Sequence, residues 1–172
     1  MRPSVPLVAR SPHFAARVIP FLAAASSFAC VDSTGPPHPL IEETEFAASL
    51  GVELEEMTRI GGGVYVQDLT VGTGPVLESG RGVRIAYDLF VPEGRHVLRS
   101  ERSEFVMGCK EVVPGLETGI GGMRVGGTRR IVVPPRLGFG ERPPWLVDVP
   151  PHSILVYVVA ALASFGAPCG AL

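Results

Sequence analysis

Two adjoining stretches, 112-VVPGLETGIGGM-123 and 124-RVGGTRRIVVPP-135, decide the fold of this chain. The first opens with a Pro-Gly pair, and its apolar residues Leu116, Ile120 and Met123 recur at helical spacing. This pattern predicts one short helix from the proline to about Met123, which is rich in glycine and therefore depends on tertiary packing. The second stretch predicts a Gly-Gly turn and then a β-branched strand that two prolines end.

Strand signals lie on both sides of this helix. The patterns predict strands over residues 64–69 and 82–91, a turn at 92–95 and a return strand over 96–107. The near-continuous apolar run 154–162 is typical of a central strand buried on both faces. One short helix against an antiparallel sheet is an α+β domain.

The composition excludes several classes of function. The chain has 172 residues, 46% of them hydrophobic, which is enough for one ordinary domain with a packed core. A net charge of −2 gives no case for nucleic acid binding, and no His/Cys cluster has the spacing of a metal site. We therefore expect neither a metal nor a cofactor.

Residues 1–30 have the pattern of an export signal. Three arginines precede a short apolar run and a zone of small residues that leads up to Cys30. The residues before Cys30 resemble a lipobox, in which the cysteine is lipidated, and lipidation would anchor the domain to a membrane that it does not span. A soluble exported protein is the alternative. In both cases we expect export to the periplasm or the cell envelope.

The rest of the chain divides into three predicted parts. Residues 31–60 are a linker followed by a short acidic helical segment over 42–58, residues 61–165 are the domain proper, and residues 166–172 are a mobile tail. The helical prediction depends on apolar residues at helical spacing, which are Phe46, Leu50, Leu54 and Met57. We prefer a helix that packs on the domain as a lid to one that binds a partner.

Two further cysteines, Cys109 and Cys169, leave their redox state open. An exported compartment permits a disulfide between them. Their positions follow no recognised disulfide or metal spacing, so two unpaired thiols are an equal alternative.

Taken together, these features resemble the FKBP-type peptidyl-prolyl cis-trans isomerases. The likeness lies in the helix and strand of residues 112–135, with Tyr87 before them and Pro150-Pro151-His152 after them, and it extends over roughly residues 64–162. The resemblance implies an FKBP-like antiparallel sheet of about five strands half-wrapped around the helix. It also implies an apolar bowl, floored by that helix, which takes a prolyl peptide.

The implied chemistry needs no nucleophile, metal or acid–base pair. Rotation about a peptide bond has a barrier of about 18–20 kcal/mol, which amide resonance sets. A catalyst must bind the twisted amide better than the planar one. Because the twisted form has a less polar carbonyl, a dry apolar pocket favours it, and a fixed hydrogen-bond donor helps to hold its orientation.

The resemblance also implies which residues form the site. The family's substrate contacts match Val112, Val113, Leu116, Val149 and Tyr157, and its catalytic positions match Tyr87, Val97, Leu98 and Phe139. Three of these positions depart from the family pattern: Val97 and Leu98 replace a Phe-Asp pair, and Phe139 replaces a tyrosine that donates to the substrate carbonyl. Trp145 in the long loop is expected to refill part of the bowl.

Two functions follow from the resemblance. The first is a monomeric peptidyl-prolyl isomerase of the cell envelope, which acts at a reduced rate on X-Pro bonds of exported proteins. The second is a non-catalytic chaperone or protein-binding module, which the departures at Val97, Leu98 and Phe139 favour. The expected partners are proline-containing polypeptides, with no nucleic acid and with a membrane only through a lipid on Cys30.

Overall fold

The computed structural model describes residues 38–171. The regular elements of this range are strands, one short α-helix and several 3₁₀ turns. The strands are β1 (Thr58–Ile60), β2 (Val64–Thr70), β3 (Gly82–Phe90), β4 (His96–Val106), β5 (Thr128–Val133) and β6 (Leu155–Phe165), and the helix is α1 (Pro114–Ile120).

These strands form one antiparallel sheet in the order β1-β2-β5-β6-β3-β4. Helix α1 packs across β5 and β2 on one face of the sheet. The predicted α+β class, an antiparallel sheet with one short helix, is confirmed. The described sheet has six strands and not about five, because β1 adds an edge beside β2 where the sequence predicts the end of an acidic segment.

The sheet is covered on both faces, which explains why β6 is almost continuously apolar. Tyr157 and Val159 belong to the main core on the helix side, whereas Val156 belongs to a second cluster on the opposite side. Neighbouring residues of a strand point to opposite faces, so both sets of side chains are apolar. The second face is covered by the chain that precedes β1.

Residues 42–58 do not form the expected helix. They belong to a segment with three separate 3₁₀ turns, at Ile41–Glu43, Ala48–Leu50 and Leu54–Glu56. Gly51 ends the second turn with a left-handed φ of 59°, which a continuing helix does not allow. The buried side chains of this segment are Ile41, Leu50 and Met57. The segment therefore belongs to the domain, and the expected boundary at residue 61 lies too late in the chain.

Helix α1 ends at Ile120 and not near Met123. Gly121 follows with φ −54° and ψ 134°, so the chain leaves the helix there. The guanidinium of Arg129 donates to the backbone oxygens of Gly119 at 3.0 Å and Gly121 at 3.1 Å. Arg129 thereby supplies partners for carbonyl groups that a helix end leaves unpaired.

Two glycines let α1 lie very close to β5. A β-carbon on Gly115 would stand 2.1 Å from Val133 Cγ1, and one on Gly119 would stand 2.4 Å from Ile131 Cγ2. Favourable carbon–carbon contacts need about 3.5–4.0 Å. The two glycines are four residues apart and share one face of the helix. Their missing side chains therefore set the distance between the helix and the sheet.

A disulfide joins Cys109, in the turn after β4, to Cys169 near the end of the chain. The Cα atoms are 5.7 Å apart, a normal separation for such a bond. The sequence left open a disulfide or two unpaired thiols, and the structure has the disulfide. The tail 166–172, which the sequence predicts to be mobile, is consequently attached to the domain by a covalent bond.

Several predictions fall outside the described residues. These are the export signal over 1–30, the lipidation site Cys30 and the first part of the linker, and they stay predictions. Within residues 38–171, none of the helices has the length and apolar character to span a bilayer.

Candidate functional site

A cavity of about 450 Å³ opens between the start of α1, the sheet and the loop that joins β5 to β6. Its lining side chains are apolar except for two tyrosines and one glutamate. The lining residues are Tyr87, Leu89, Leu98, Glu111, Val112, Val113, Leu116, Phe139, Pro144, Val147 and Tyr157.

Three adjacent strands build the sheet side of the cavity. Leu89 on β3 is paired directly with Leu98 on β4 and with Tyr157 on β6, so these three residues form a row across the sheet. Tyr87 lies two residues before Leu89 and therefore shares its face of β3. Hydrogen-bonded strands on both sides hold β3, which makes this wall rigid.

The helix and the long loop build the opposite sides. Val112 and Val113 precede α1, and Leu116 lies in its first turn, where it is 3% exposed. From the loop, Phe139 and Val147 reach the cavity and pack against the main core.

Two tyrosines meet in this cavity. The rings of Tyr87 and Tyr157 are in edge-to-face contact, with centroids 5.7 Å apart and an interplanar angle of 66°. Burial raises the pKa of both phenols, and the neighbouring Tyr87 raises the pKa of Tyr157 further. Both hydroxyls therefore stay protonated at neutral pH and can donate hydrogen bonds.

Two polar contacts involve the loops next to the cavity residues. Nη1 of Arg95, in the turn between β3 and β4, donates to the backbone oxygen of Asp148 at 2.6 Å and to its Oδ2 at 2.9 Å. This contact holds the long loop to the hairpin. Oε2 of Glu111 accepts a hydrogen bond from the backbone N of Val106 at 3.3 Å. Across residues 38–171, no group of three or more His, Cys, Asp and Glu side chains could hold a metal ion.

Most of the sequence-predicted site residues lie on the cavity wall. These are Tyr87, Leu98, Val112, Val113, Leu116, Phe139 and Tyr157. Val97 and Val149 do not line it, and both pack into the main core. Val97 is the extra residue of a β-bulge, because the register shifts between Leu89 and Phe90.

Trp145 does not help to fill the cavity as the sequence suggested, since its side chain is 90% exposed. The backbone N of Val147 donates to the oxygen of Pro144 at 3.0 Å, the hydrogen bond of a β-turn. Trp145 and Leu146 are the two corner residues of that turn and project outward, whereas Pro144 and Val147 at its ends line the cavity.

Sequence analysis missed four lining residues, which are Leu89, Glu111, Pro144 and Val147. Leu89 could have been predicted, because it lies two residues after Tyr87 and must share its face of the strand. Glu111 is next to Val112 in the chain. The other two depend on the β-turn in the long loop, for which the sequence has only a weak signal.

Residues 74–162 match the family described as FKBP-type peptidyl-prolyl cis-trans isomerase. The chain is similar to the 46 kDa FK506-binding nuclear protein of Spodoptera frugiperda, with 39% identity over 111 residues, 61% of this chain and 26% of that protein. It is also similar to the chloroplastic peptidyl-prolyl cis-trans isomerase FKBP19 of Arabidopsis thaliana, with 33% identity over 101 residues, 50% of this chain and 40% of that protein. The match spans about a quarter of the length of the first of these curated relatives.

Solved structures show the same fold. FkpA from Escherichia coli superposes with a TM-score of 0.60 and 25% identity, over 70% of this chain and 56% of that chain. AtFKBP13 superposes with a TM-score of 0.57 and 26% identity, over 63% of this chain and 98% of that chain. The similar proteins thus come from bacteria and from eukaryotes.

Proposed function

The chain belongs to the family of FKBP-type peptidyl-prolyl cis-trans isomerases, and we propose that it isomerises X-Pro bonds in polypeptides. The observation that carries this proposal is the apolar cavity between α1, the sheet and the long loop. Its volume of about 450 Å³ lies within the range of about 300–1,000 Å³ that is typical of small-molecule sites. A prolyl residue is small and apolar enough to enter it.

The lining of the cavity supports catalysis by differential binding. A planar amide has a polar carbonyl because of resonance, and a twisted amide loses that resonance. Apolar walls such as those of Leu98, Val113 and Leu116 offer a planar amide little compensation for its lost hydration. They therefore favour the twisted state relative to the planar one, which lowers the barrier.

We propose that the rate is lower than the family pattern would give. Leu98 and Phe139 line the cavity where the family has an acid and a donating tyrosine. A hydrogen bond of ordinary strength contributes about 0.5–1.5 kcal/mol, so the missing hydroxyl of Phe139 accounts for about a tenfold loss at most. Phe139→Tyr should accordingly raise the rate by up to about tenfold.

The decisive test is a proline-limited refolding assay together with a peptide isomerisation assay on the purified protein. The proposal expects both reactions to be faster than without protein. A rate equal to the uncatalysed one in both assays would reject an isomerase. The second candidate, a protein-binding module without catalysis, would then stand. The apolar side chains of Leu98 and Phe139 in the cavity agree with it.

A pair of tryptophan variants ties the activity to the cavity. Leu98 is 36% exposed at the cavity, so Leu98→Trp should obstruct the site without unfolding the domain. Leu162 is 43% exposed and does not line the cavity, which makes Leu162→Trp a matched control. Only the first variant should lose activity. Equal losses in both variants would show that the cavity is not the site.

We also propose that the protein acts outside the cytoplasm on exported polypeptides, as a monomer. The support is the amino-terminal signal pattern and the disulfide between Cys109 and Cys169, because structural disulfides persist in oxidising compartments. Mass analysis of the mature amino terminus would test this. A lipid on Cys30 supports a membrane anchor, an unmodified start at or near that residue supports a soluble exported form, and an intact start at Met1 refutes export.

A further inference from the structure

Tyr157 places a polar atom in the apolar wall of the cavity. All three tyrosines of the chain lie within residues 38–171, and the hydroxyl of Tyr65 donates to Oε1 of Glu42 at 2.7 Å. The hydroxyls of Tyr87 and Tyr157 have no hydrogen-bond partner among the described residues. Tyr87 is partly exposed, whereas Tyr157 is only 2% exposed. Bulk water therefore has little access to the hydroxyl of Tyr157 as a hydrogen-bond partner.

The geometry indicates where this hydroxyl points. Two side-chain polar atoms in the described range are sealed from solvent without a partner, Nε of Arg130 and Oγ of Ser164. The hydroxyl of Tyr157 is not one of them, so it must border open space. The open space that Tyr157 borders is the cavity. A buried hydroxyl without a partner is costly, which favours any acceptor that enters.

The ring that carries the hydroxyl is held firmly. Tyr157 lies on β6, which is hydrogen-bonded to β5 through Ile131 and to β3 through Leu89. The edge-to-face contact with Tyr87 orients the ring. A donor that is fixed in this way loses little entropy when it forms a hydrogen bond.

We propose that the Tyr157 hydroxyl donates a hydrogen bond to a substrate backbone carbonyl next to the rotating X-Pro bond, and so positions the prolyl residue in the cavity. This inference rests on the proposed isomerase function. The acceptor is a neighbouring carbonyl and not the oxygen of the rotating amide. A donor to the rotating amide would orient it but would not act equally on its two states, because the planar form has the more polar carbonyl. Tyr157 is thus a positioning residue that acts on planar and twisted states alike.

This role has a kinetic signature. An interaction that is equal in the ground state and the transition state affects KM and leaves kcat unchanged. Tyr157→Phe removes only the hydroxyl, and it should raise KM for a short Leu-Pro peptide about 2- to 12-fold, with kcat within about twofold. Tyr65→Phe is the matched control, because it removes a hydroxyl that pairs with Glu42 and not with the cavity.

Binding of the same peptide, measured by titration, separates this inference from the proposed function. If the wild type is active and Tyr157→Phe matches Tyr65→Phe in KM and in Kd, the inference is overturned and the function stands. A loss in kcat alone would also overturn it. If the wild type binds the peptide without catalysis and Tyr157→Phe weakens binding, the positioning role stands and the enzyme proposal fails. A wild type that neither binds nor catalyses would overturn both.

A second readout is independent of rates. In protein labelled with ¹³C at tyrosine Cζ, the Tyr157 resonance should shift when the Leu-Pro peptide saturates the cavity, since its hydroxyl gains an acceptor. The Tyr65 resonance should stay in place. A Tyr157 resonance that does not move at saturation contradicts the hydrogen bond.

Discussion

Replacing Gly119 by alanine should push α1 away from the sheet. The added β-carbon would lie 2.4 Å from Cγ2 and 2.8 Å from Cδ1 of Ile131. Because carbon contacts need about 3.5–4.0 Å, the helix and β5 must separate by about 1 Å. Ile131 is fully buried, so its side chain has no free space to yield into.

The net effect on stability is the difference between two opposed contributions. Such severe overpacking lies at the upper end of the usual range and costs about 3 kcal/mol. Alanine in place of a helical glycine stabilises the helix by about 1 kcal/mol, because alanine has the higher helix propensity. We therefore expect Gly119→Ala to lower the free energy of unfolding by about 2 kcal/mol. Because Leu116 lies on the same helix, the shift should also distort the cavity and lower the rate of the proposed isomerase reaction.

Denaturant unfolding of the wild type and two variants measures this effect. The control is Gly121→Ala, because the nearest atom to its added carbon is Thr118 O at 3.4 Å and its φ of −54° suits any residue. The control should change stability by less than about 0.5 kcal/mol. If Gly119→Ala is as stable as the wild type or more stable, the helix does not lie against β5 as described.

Three further predictions concern other parts of the domain. Serine at both Cys109 and Cys169 removes a link between residues 60 apart and should cost about 4 kcal/mol by denaturant unfolding; an unchanged midpoint would mean that the bond does not form. The hydrogen bond from Tyr65 holds the pKa of Glu42 below its usual 4.5. The stability that this hydrogen bond contributes is therefore present above pH 4.5 and is lost as the pH falls through the lowered pKa of Glu42. The stability deficit of Tyr65→Phe should therefore shrink towards acid pH, and a constant deficit would refute the coupling. Trp145 is 90% exposed, so Trp145→Ala should change stability by less than about 0.5 kcal/mol, and a larger thermal shift would show that it packs.

The helix and the sheet could be predicted because their signals are local. Leu116 and Ile120 recur at helical spacing and are both buried in the structure. The near-continuous apolar run of β6 predicted a strand that is covered on both faces. The pair Gly121-Gly122 is a local signal for the early end of the helix, whereas the contact of Arg129 with the helix carbonyls joins distant parts of the chain and has no such signal.

The chain before β1 shows where periodicity misleads. Leu50 and Met57 are buried as a helical stripe would require, but they share the second core with Ile41, which lies outside that stripe. The stripe therefore came from a chain of separate turns: Ile41 and Leu50 are buried within the first two, and Met57 is buried directly after the third. The local sign of this arrangement in the sequence was the glycine at position 51, which has a left-handed conformation in the structure.

The site could be predicted where it lies on regular elements and not where it lies on the long loop. Tyr87, Leu116 and Tyr157 line the cavity because strand and helix geometry fixes their directions. The direction of Trp145 depends on a β-turn and on the contact of Asp148 with a distant hairpin. Such tertiary contacts override the local preferences of a loop, and the sequence alone does not display them.

The outer layer of residues 41–57 bears on how this domain can be divided. The recognisable family region, residues 74–162, omits that layer together with β1 and β2. A polypeptide trimmed to the family region would leave β5 as an open sheet edge and would bare Val132 and Val156 to water. An open sheet edge beside an exposed apolar patch favours self-association. We therefore expect the unit that folds on its own to be larger than the region that matches the family.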